Sequence, residues 1–333
     1  MAIHSICLVK NEADIIERTL AEAAAWSDFI YVYDNGSTDG TWEKVLALAA
    51  SEPRIVPFRS DNAPYDNNLR RFPFAHYRNR CQPGDWWCQL DADEIYIDSP
   101  RDFLAQVSPD YDTIWSVSFQ YFFTDADVER YQANPDLYGD DVPLELKCRY
   151  YSNNWSEIRF FRYHPRLEWH TGKFPYPLVK PFERRIRLKH YPYRSPQQIE
   201  RRLATRRAAI QRGRFRHERP QDFSHVTANA PIRPRYREDR KAPDSWLSRV
   251  ASASSLIRDD GSYAFDESLL PPMAPAPDKM RHRIRRALAR LSDELEIGWW
   301  GSRKRHADGN SMDECDGHGI HRRDLAASKA APR

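Results

Sequence analysis

The sequence predicts an α/β fold in which a mostly parallel central sheet is flanked by helices. Two observations lead to this fold class. Strand-like and helix-like segments alternate over the first hundred residues, and such alternation requires crossover connections that leave neighbouring strands parallel. The chain is also long enough, at 333 residues of which 41% are hydrophobic, to bury the core of one large α/β domain.

Short apolar runs bounded by turn residues mark the strands of the first half. They lie at residues 3–9, 29–33, 54–58 and 86–90. Between them, apolar side chains recur every three or four positions, which predicts a first helix opened by residues 11–14 and a second over about 41–50. The second strand is broken at once by residues 34–37, whose Asp-Asn-Gly-Ser sequence is typical of a tight turn.

The pattern changes after residue 110, where strand-like pieces occur at 113–123, 157–163 and 185–189. These pieces predict an α+β half that completes the domain. A helix is predicted from Ser195 to about Arg214, with Ser195 as its cap and Pro196 at its first position. The proline-rich stretch 271–277 indicates a linker, and the last thirty residues have the composition of a disordered tail.

Composition narrows the class of protein. A net charge of +3 does not suggest a nucleic-acid-binding protein. The five cysteines form no Cys-x-x-Cys pair, which suits a reducing cytoplasm rather than a disulfide framework. The N-terminus lacks a secretion signal, and no run approaches the roughly 20 apolar residues that span a bilayer. We therefore expect a cytoplasmic protein, soluble or peripheral on the inner face of the membrane.

Three carboxylates crowd into four residues directly after the fourth strand. Asp91 and Asp93 project to the same side of an extended backbone, with Glu94 beside them. Such close like charges repel, and a divalent cation shared with substrate phosphates would relieve the repulsion. Ligands of open parallel sheets bind outside the carboxyl ends of strands, where this triplet lies. The alternative is an acidic turn that caps the strand; a calcium loop does not fit, because its glycine and distal glutamate are missing.

The triplet overlaps the last of four short motifs that occur in order and at suitable spacing. They are Val9-Lys-Asn-Glu12, Val32-Tyr-Asp-Asn-Gly-Ser-Thr-Asp-Gly-Thr41, Tyr77-Arg-Asn79 and Gln89-Leu-Asp-Ala-Asp93. Together they resemble the family 2 glycosyltransferases, closely over residues 3–97 and loosely over 110–200. The resemblance implies the GT-A fold, a Rossmann-like nucleotide-diphospho-sugar transferase fold. The segment from Lys189 to Pro196 is similar to a His-Tyr-x-x-Arg-Ser-Pro signature found in one branch of the family.

The resemblance also implies roles for particular side chains. The nucleotide-sugar ligands that it implies are Asn11, Glu12, Asp34, Arg71, Arg78 and Asp91. The ligands that it implies for a divalent cation, Mn²⁺ or Mg²⁺, are Asp91, Asp93 and His190. Such a cation would stabilise charge on the departing diphosphate. Structural alternatives stay open, namely ion pairing for Arg71 and Arg78, a packing role for His190, and helix capping for Ser37, Asp39 and Thr41.

The base that deprotonates the acceptor in inverting members of the family is not marked by a motif here. Glu168, next to Trp169-His170, is the first choice for this catalytic role, and Asp141 and Glu183 are alternatives. The Gln/Arg-x-x-Arg-Trp signature of processive synthases is absent from the sequence. Its absence favours the transfer of single sugars.

Two basic stretches suggest further hypotheses. Residues 184–216 hold twelve Lys and Arg against one acid, and helical spacing places four of the arginines on one side: Arg201, Arg202, Arg206 and Arg207. That side suits a phosphate-bearing acceptor, an anionic membrane surface or plain solvation. Residues 279–295 are basic with one apolar stripe and are followed by Trp299-Trp300, which is typical of a membrane-surface helix or of a helix docked on its parent domain.

These features predict a metal-dependent glycosyltransferase that is inverting and non-processive. Its partners would be a nucleoside-diphosphate sugar donor, a saccharide or lipid-linked acceptor and an anionic membrane surface contacted through 279–300, with no nucleic acid. One alternative is a nucleotidyltransferase, which should show a glycine-rich phosphate loop that the end of the first strand lacks. The other is a nucleotide- or saccharide-binding protein of the same fold without catalysis.

The resemblance and the changes in composition also divide the chain. Residues 1–195 form the predicted transferase domain, with 1–97 as its nucleotide-sugar half and 98–195 as its acceptor half. A helical or irregular extension is expected over 196–270. It is followed by the linker and basic amphipathic helix over 271–300 and by a disordered tail over 301–333.

Overall fold

The apolar runs of the first ninety residues form the parallel part of the sheet. In the computed structural model these four strands are β1 (Ile3–Val9), β2 (Phe29–Asp34), β3 (Ile55–Ser60) and β4 (Trp86–Asp91). They lie side by side in the order β3-β2-β1-β4, and all three pairs are parallel. Helices α1 (Ile16–Ala24) and α2 (Thr41–Ser51) connect the first three strands. The predicted α/β class and its parallel core are confirmed.

The second half adds strands that pair mostly in antiparallel fashion. They are β5 (Glu94–Tyr96), β6 (Thr113–Tyr121), β7 (Tyr150–Trp155), β8 (Ile158–Arg162), β9 (Ile186–His190) and β10 (Ile257–Arg258). The sheet continues beyond β4 in the order β8-β6-β7-β10, with β9 beside β6 and β5 beside β9. The pair β6–β9 is parallel, and the other pairs of this half are antiparallel. The central sheet is therefore mixed.

Within the part of the chain that the structure describes, five further α-helices cover or extend this sheet. They are α3 (Arg71–Tyr77), α4 (Pro100–Ala105), α5 (Asp125–Ala133), α6 (Leu144–Lys147) and α7 (Pro196–Gln211). The start of α7 is the predicted one: Gln198 N donates to Ser195 Oγ at 3.2 Å, and Pro196 occupies the first position. The first turn is therefore fixed by its own cap rather than by packing alone.

The first helix begins later than predicted. Asn11 has a φ of 56°, in the left-handed region, so the backbone cannot enter a right-handed helix there. A turn follows, in which Ile16 N donates to Glu12 O at 2.9 Å, and α1 begins at Ile16. The predicted helical start over residues 11–14 is wrong for this reason, and those residues form a loop at the strand end instead.

Side-chain alternation along β1 separates the two faces of the sheet. Ile3, Cys7 and Val9 are buried with the apolar sides of α1 and α2. Ile6 points to the opposite face, into a cluster that includes Trp87. Cys7 is completely buried, as expected for a cysteine that acts as a small apolar residue. A sheet covered on both faces leaves its strand ends as the places where polar side chains gather.

The structure describes residues 1–211 and 245–275, except for the side chains of 154 and 208–211, and both ranges belong to one unit, Met1–Pro277. Val250 and Ala251 pack against Ile199 and Leu203 of α7. Within these described ranges, no helix is long and apolar enough to cross a bilayer. The predicted amphipathic helix that begins at 279 and the tail over 301–333 lie outside them.

Candidate functional site

A cavity of about 460 Å³ lies at the carboxyl ends of β1 and β4. Its volume is in the range usual for small-molecule sites, roughly 300–1,000 Å³. Loops after β1, β2 and β3 and the helix α7 contribute to its walls. The charged side chains and the histidine that line it are Lys10, Glu12, Asp91, Asp93, His190, Arg202 and Arg206. This mixture of acids and bases at the ends of parallel strands is the expected setting for a polar ligand.

Asp93 lies between β9 and α7. The β5–β9 register sets Glu94 opposite His190, and it brings His190 Nε2 to 3.4 Å from Asp93 Oδ2. Arg202 donates from Nη1 to the same oxygen at 3.2 Å. Burial acts to raise the pKa of Asp93, but His190, Arg202 and Arg194 outweigh it and hold that pKa well below its usual range. Asp93 is therefore a carboxylate at neutral pH.

Asp91, at the end of β4, has a different pair of partners. Arg159 Nη1 lies 3.0 Å from Asp91 Oδ2, and Arg70 donates from Nη2 to Oδ1. Both guanidinium groups are only 2% exposed, whereas the Asp91 side chain is 32% exposed. Burial would raise the pKa of Asp91, but the two arginines lower it to about 2. The two aspartates of the motif thus belong to separate ion-pair networks.

An acidic cluster continues from Asp91 into the interior. Among the described residues, Asp91, Glu94 and Glu157 bring carboxylate oxygens within 4.8 Å of one another. Arg159 contacts all three acids, with its Nη2 at 2.6 Å from Glu157 Oε1, and Lys173 also pairs with Glu157. Burial raises the pKa of Glu94 to about 8, against the opposing effect of Arg159. Arg159 and Lys173 balance part of the charge of this cluster, and Asp91 is its member that also lines the cavity.

Arg194 joins the loop after β1 to the start of α7. Its side chain is completely buried and binds Asp14 through Nε at 2.7 Å and Nη2 at 2.9 Å. The same Nη2 donates to Glu12 Oε2 at 2.5 Å. Burial raises the pKa of Glu12 to about 7, although Arg194 acts to lower it. The sequence pattern contained Arg194 within the branch signature, but nothing in the pattern pointed to its buried partners.

Asn11 joins the same two parts of the cavity wall through its amide. Its Nδ2 donates to Thr205 Oγ1 of α7 at 2.9 Å, and its Oδ1 accepts from Thr38 N at 2.8 Å. Both Asn11 and Glu12 line the cavity, as the resemblance implied for nucleotide-sugar ligands. Their roles toward a ligand stay predictions.

Asp34 orders the loop that follows β2. Its carboxylate, fully buried, accepts from Gly36 N at 3.1 Å, Ser37 N at 3.0 Å and Ser60 Oγ at 2.6 Å. Two features favour glycine at position 36. Its φ of +72° lies in the left-handed region, and a Cβ there would lie 2.0 Å from Asn62 Oδ1. The cavity is lined by Asn62 and not by Asp34. Contact of Asp34 with a nucleotide base therefore stays a prediction.

Arg71 and Arg78, which the resemblance implied as nucleotide-sugar ligands, do not line the cavity. The guanidinium of Arg71 lies over the Phe72 ring, 4.0 Å from its centroid. Arg78 donates from Nη2 to Pro165 O at 2.8 Å. It is Arg70, one residue before Arg71, that reaches Asp91. Sequence spacing located this basic segment but could not choose between neighbours whose side chains leave the backbone in different directions.

Glu168 also lies outside the cavity lining. Its backbone forms an isolated bridge with Tyr176, and its Oε2 is 3.7 Å from His170 Nε2. Of the alternatives, Glu183 accepts from a tyrosine hydroxyl at 2.6 Å on the surface, and Asp141 lines a different, smaller cavity. None of these three acids lines the large cavity. The identity of the base therefore stays a prediction.

The basic side of α7 faces carboxylates rather than only solvent. Arg202 and Arg206 line the cavity, and Arg201 Nη2 lies 3.5 Å from Asp14 Oδ1. Burial, followed by the charge of Arg202, lowers the pKa of Arg206 to about 10, so it is still charged at neutral pH. The buried Nε of Arg202 has no hydrogen-bond partner within the described part of the chain. Buried guanidinium donors of this kind suit an anionic ligand.

Asp93 and His190 fit a divalent cation by their donor chemistry. They offer a carboxylate oxygen and an imidazole nitrogen 3.4 Å apart at the cavity wall. The other ring nitrogen of His190, Nδ1, is buried and has no hydrogen-bond partner among the described residues. Oxygen and nitrogen donors together suit Mn²⁺, while Asp91 adds a second, partly exposed carboxylate to the same wall.

Residues 6–122 match the family model described as "Glycosyl transferase family 2". This part of the chain belongs to that family. The family 2 segment runs from β1 to just beyond β6, so it supplies Asp91, Asp93 and the loops after β1, β2 and β3. His190, Arg194 and the arginines of α7 come from the chain beyond it. No curated protein sequence matches the chain.

Three solved structures show partial similarity, each with a TM-score of 0.29. "Mannosyltransferase PcManGT from Pyrobaculum calidifontis in complex with GDP-Man and Mn2+" is 22% identical and is matched over 35% of this chain and 35% of its own. TarS of S. aureus is 12% identical over 62% of this chain and 39% of its own. The structure of TarS 1-349 is 11% identical over 73% and 77%. The match thus spans about a third of the mannosyltransferase.

Proposed function

We propose that the family 2 domain transfers a sugar from a nucleoside-diphosphate donor to a hydroxyl group of a saccharide or lipid-linked acceptor. The observation that carries the proposal is the meeting of Asp93 and His190 with Arg202 and Arg206 in one cavity at strand ends. The first pair suits a divalent cation, and the second pair suits phosphate oxygens. A nucleoside-diphosphate sugar needs both kinds of partner.

The residues of the cavity match the charge that develops in such a transfer. Breaking the bond between the anomeric carbon and the diphosphate leaves negative charge on the departing diphosphate. Arg202 and Arg206 would hold its oxygens from α7, where the Arg202 side chain is only 13% exposed and little water competes. Asp91, Asp93 and His190 would hold Mn²⁺ or Mg²⁺, which acts as a Lewis acid when bound.

The part of the cavity that is lined by the loops after β1, β2 and β3 suits the nucleoside. Lys10, Asn11, Asn35 and Asn62 line it, and amide groups can both donate to and accept from a base or ribose. Asp34 would act indirectly, because its hydrogen bonds order the loop that leads to these residues. Inversion, single-sugar transfer and Glu168 as the base are proposals that rest on the family resemblance.

A thermal-shift screen of uridine, guanosine and cytidine diphosphates, with and without Mn²⁺, tests the proposal. We expect at least one diphosphate to raise the Tm, and more so with Mn²⁺. Ligand at a hundred times its Kd stabilises a protein by about 2.7 kcal/mol. Asp93→Ala should remove the Mn²⁺-dependent part, whereas Asp110→Ala, an exposed acid away from the cavity, should keep it. A Tm that no diphosphate raises would contradict the proposal.

A nucleotide-binding protein without catalysis is the second candidate, and one observation favours it. None of the three acids considered as the base lines the cavity. Turnover separates the two candidates: a transferase releases the nucleoside diphosphate from its sugar donor, slowly to water and faster with an acceptor. Donor binding without any release of diphosphate would favour the second candidate.

A further inference from the structure

We propose that Arg202 couples metal binding to diphosphate binding, because its guanidinium exchanges the carboxylate of Asp93 for phosphate oxygens. The inference rests on the proposed function, since it requires that the cavity take both a divalent cation and a diphosphate. Arg202 lies beyond the family 2 segment. The inference gives it a role in positioning the cation and the diphosphate at the acids of that segment.

Arg202 is bound on one side and unsatisfied on the other. Its Nη1 lies 3.2 Å from Asp93 Oδ2 and 3.7 Å from Glu12 Oε1. Its Nε is buried and lacks a hydrogen-bond partner within the described residues, although a guanidinium has five N–H donors to place. A buried donor without a partner is costly, so a ligand that supplies an acceptor gains that energy on binding.

The contact of Arg202 with Asp93 opposes a cation at the same carboxylate. Asp93 Oδ2 is the atom shared by Arg202 Nη1 and His190 Nε2, at 3.2 Å and 3.4 Å. A divalent cation that binds Asp93 and His190 therefore meets the positive charge of Arg202 at short range. Metal binding is weakened as long as the guanidinium stays on that oxygen.

A diphosphate removes this opposition. Its oxygens can accept two N–H bonds from one guanidinium, a stronger arrangement than the single bond to Asp93. Arg202 then leaves Asp93 free for the cation, and the cation in turn favours the diphosphate. Each ligand thus strengthens the binding of the other, and by linkage both effects have the same size.

Only the side chain of Arg202 has to move for this exchange. The beginning of α7 is held by Arg194, which is completely buried and bound to Asp14 by two hydrogen bonds of 2.7 and 2.9 Å. Arg202 lies two helical turns further along and has a single hydrogen bond to a carboxylate. The helix can therefore stay in place while the guanidinium turns.

Arg202→Ala tests the inference with each ligand measured alone. Mn²⁺ affinity is followed through the free Mn²⁺ signal in electron paramagnetic resonance, and pyrophosphate affinity by titration calorimetry. We expect Mn²⁺ to bind about fivefold or more tightly and pyrophosphate about fivefold or more weakly than in the wild type. General loosening of the fold would weaken both, so the opposite signs identify the coupling role. Arg202→Gln, which keeps more of the packing, should show the same pair of changes.

Two controls separate charge from position. Arg202→Lys keeps the positive charge, so its Mn²⁺ affinity should stay close to the wild-type value. Arg207→Ala removes an exposed arginine of the same helix outside the cavity lining, and it should change neither affinity. Mn²⁺ affinity that is unchanged or weaker in both Arg202→Ala and Arg202→Gln overturns the inference and leaves the proposed function standing. A wild-type protein that binds neither Mn²⁺ nor any diphosphate overturns both.

Discussion

Gly36, in the loop after β2, has a left-handed backbone conformation and also packs closely against Asn62. Its φ is +72°, and a Cβ would lie 2.0 Å from Asn62 Oδ1 and 2.7 Å from Asn62 Cγ. Gly36→Ala should therefore lower the free energy of unfolding by the strain of a left-handed residue, roughly 1–3 kcal/mol, and displace Asn62 from the cavity wall. Urea unfolding measures the first effect, and diphosphate affinity measures the second.

Gly40 provides the matched control at the other end of the same loop. Its φ is +91°, but nothing lies within 4 Å of a Cβ built there. Gly40→Ala should carry the backbone strain without the collision, so it should cost less stability and leave diphosphate affinity unchanged. Equal effects of the two substitutions would show that Asn62 yields freely and that the close approach is unimportant.

At the residue scale, the sequence predicted two acids that line the cavity, and their role toward a ligand stays a prediction. Asp91 and Asp93 could be found because paired acids directly after a buried strand lie where parallel sheets bind their ligands. Their pairing with arginines could not be predicted, because Arg159 and Arg202 lie 68 and 109 positions away and the sequence does not show which acid an arginine side chain contacts. The difference between the two networks is a property of the packed protein.

At the scale of elements, Arg194 makes the most buried contact between the β1 loop and the start of α7. Asp14 is 1% exposed, and Arg194 is its main partner. Among the described residues, Arg194→Ala would leave the buried Asp14 carboxylate with only the longer 3.5 Å contact to Arg201. Removing one partner of a buried ion pair typically costs about 3–5 kcal/mol. We expect this loss in urea unfolding, together with faster amide hydrogen exchange over 196–205. Arg194→Lys should recover only part of it, since an ammonium cannot make the bidentate contact.

Another arginine pair between elements provides the comparison. Arg18 of α1 binds Glu145 of α6 through Nη1 at 3.0 Å, but the two side chains are 36% and 48% exposed. Arg18→Ala should therefore cost only about 0.2–1 kcal/mol, as exposed pairs do. Similar losses for Arg18→Ala and Arg194→Ala would refute the special role of the buried contact.

The sequence predicted the apolar strands better than the short or polar elements. The apolar strands β1, β2, β4 and β6 were predicted almost to the residue, because a continuous apolar run bounded by turn residues is typical of a buried strand. The four-residue helix α6 and the three-residue strand β5 were missed, since neither is long enough to show a period. Yet β5 sets the register that places His190 beside Asp93, so a short element decides the geometry of the site.

At the scale of the whole molecule, the family 2 segment and the rest of the chain divide the cavity between them. Residues 6–122 supply the strand ends, their acids and Arg70, whereas β8, β9 and α7 supply Arg159, His190 and Arg202. The sequence marked the first group through local motifs. The second group depends on contacts between distant segments, so the sequence pointed to candidate residues but not to their arrangement.

Residues 279–300, which lie beyond the described residues, carry the predicted membrane-binding segment. It contains six basic and three acidic residues, one apolar stripe and Trp299-Trp300, a pattern that predicts binding to an anionic membrane surface. Deleting 279–300 should reduce sedimentation of the protein with anionic liposomes. The full chain should lose its binding in high salt, because screening shortens the reach of the basic charges.

Such binding would keep the domain where lipid-linked acceptors are found, and this is why the segment matters for the choice of acceptor. Neutral liposomes are the control: the full chain should sediment with them much less, since each basic residue near an anionic surface contributes about 1 kcal/mol that a neutral surface does not provide. Equal sedimentation of the full and shortened chains with anionic liposomes would assign the segment to packing within the protein. A saccharide acceptor in solution would then be the better choice for the first activity assays.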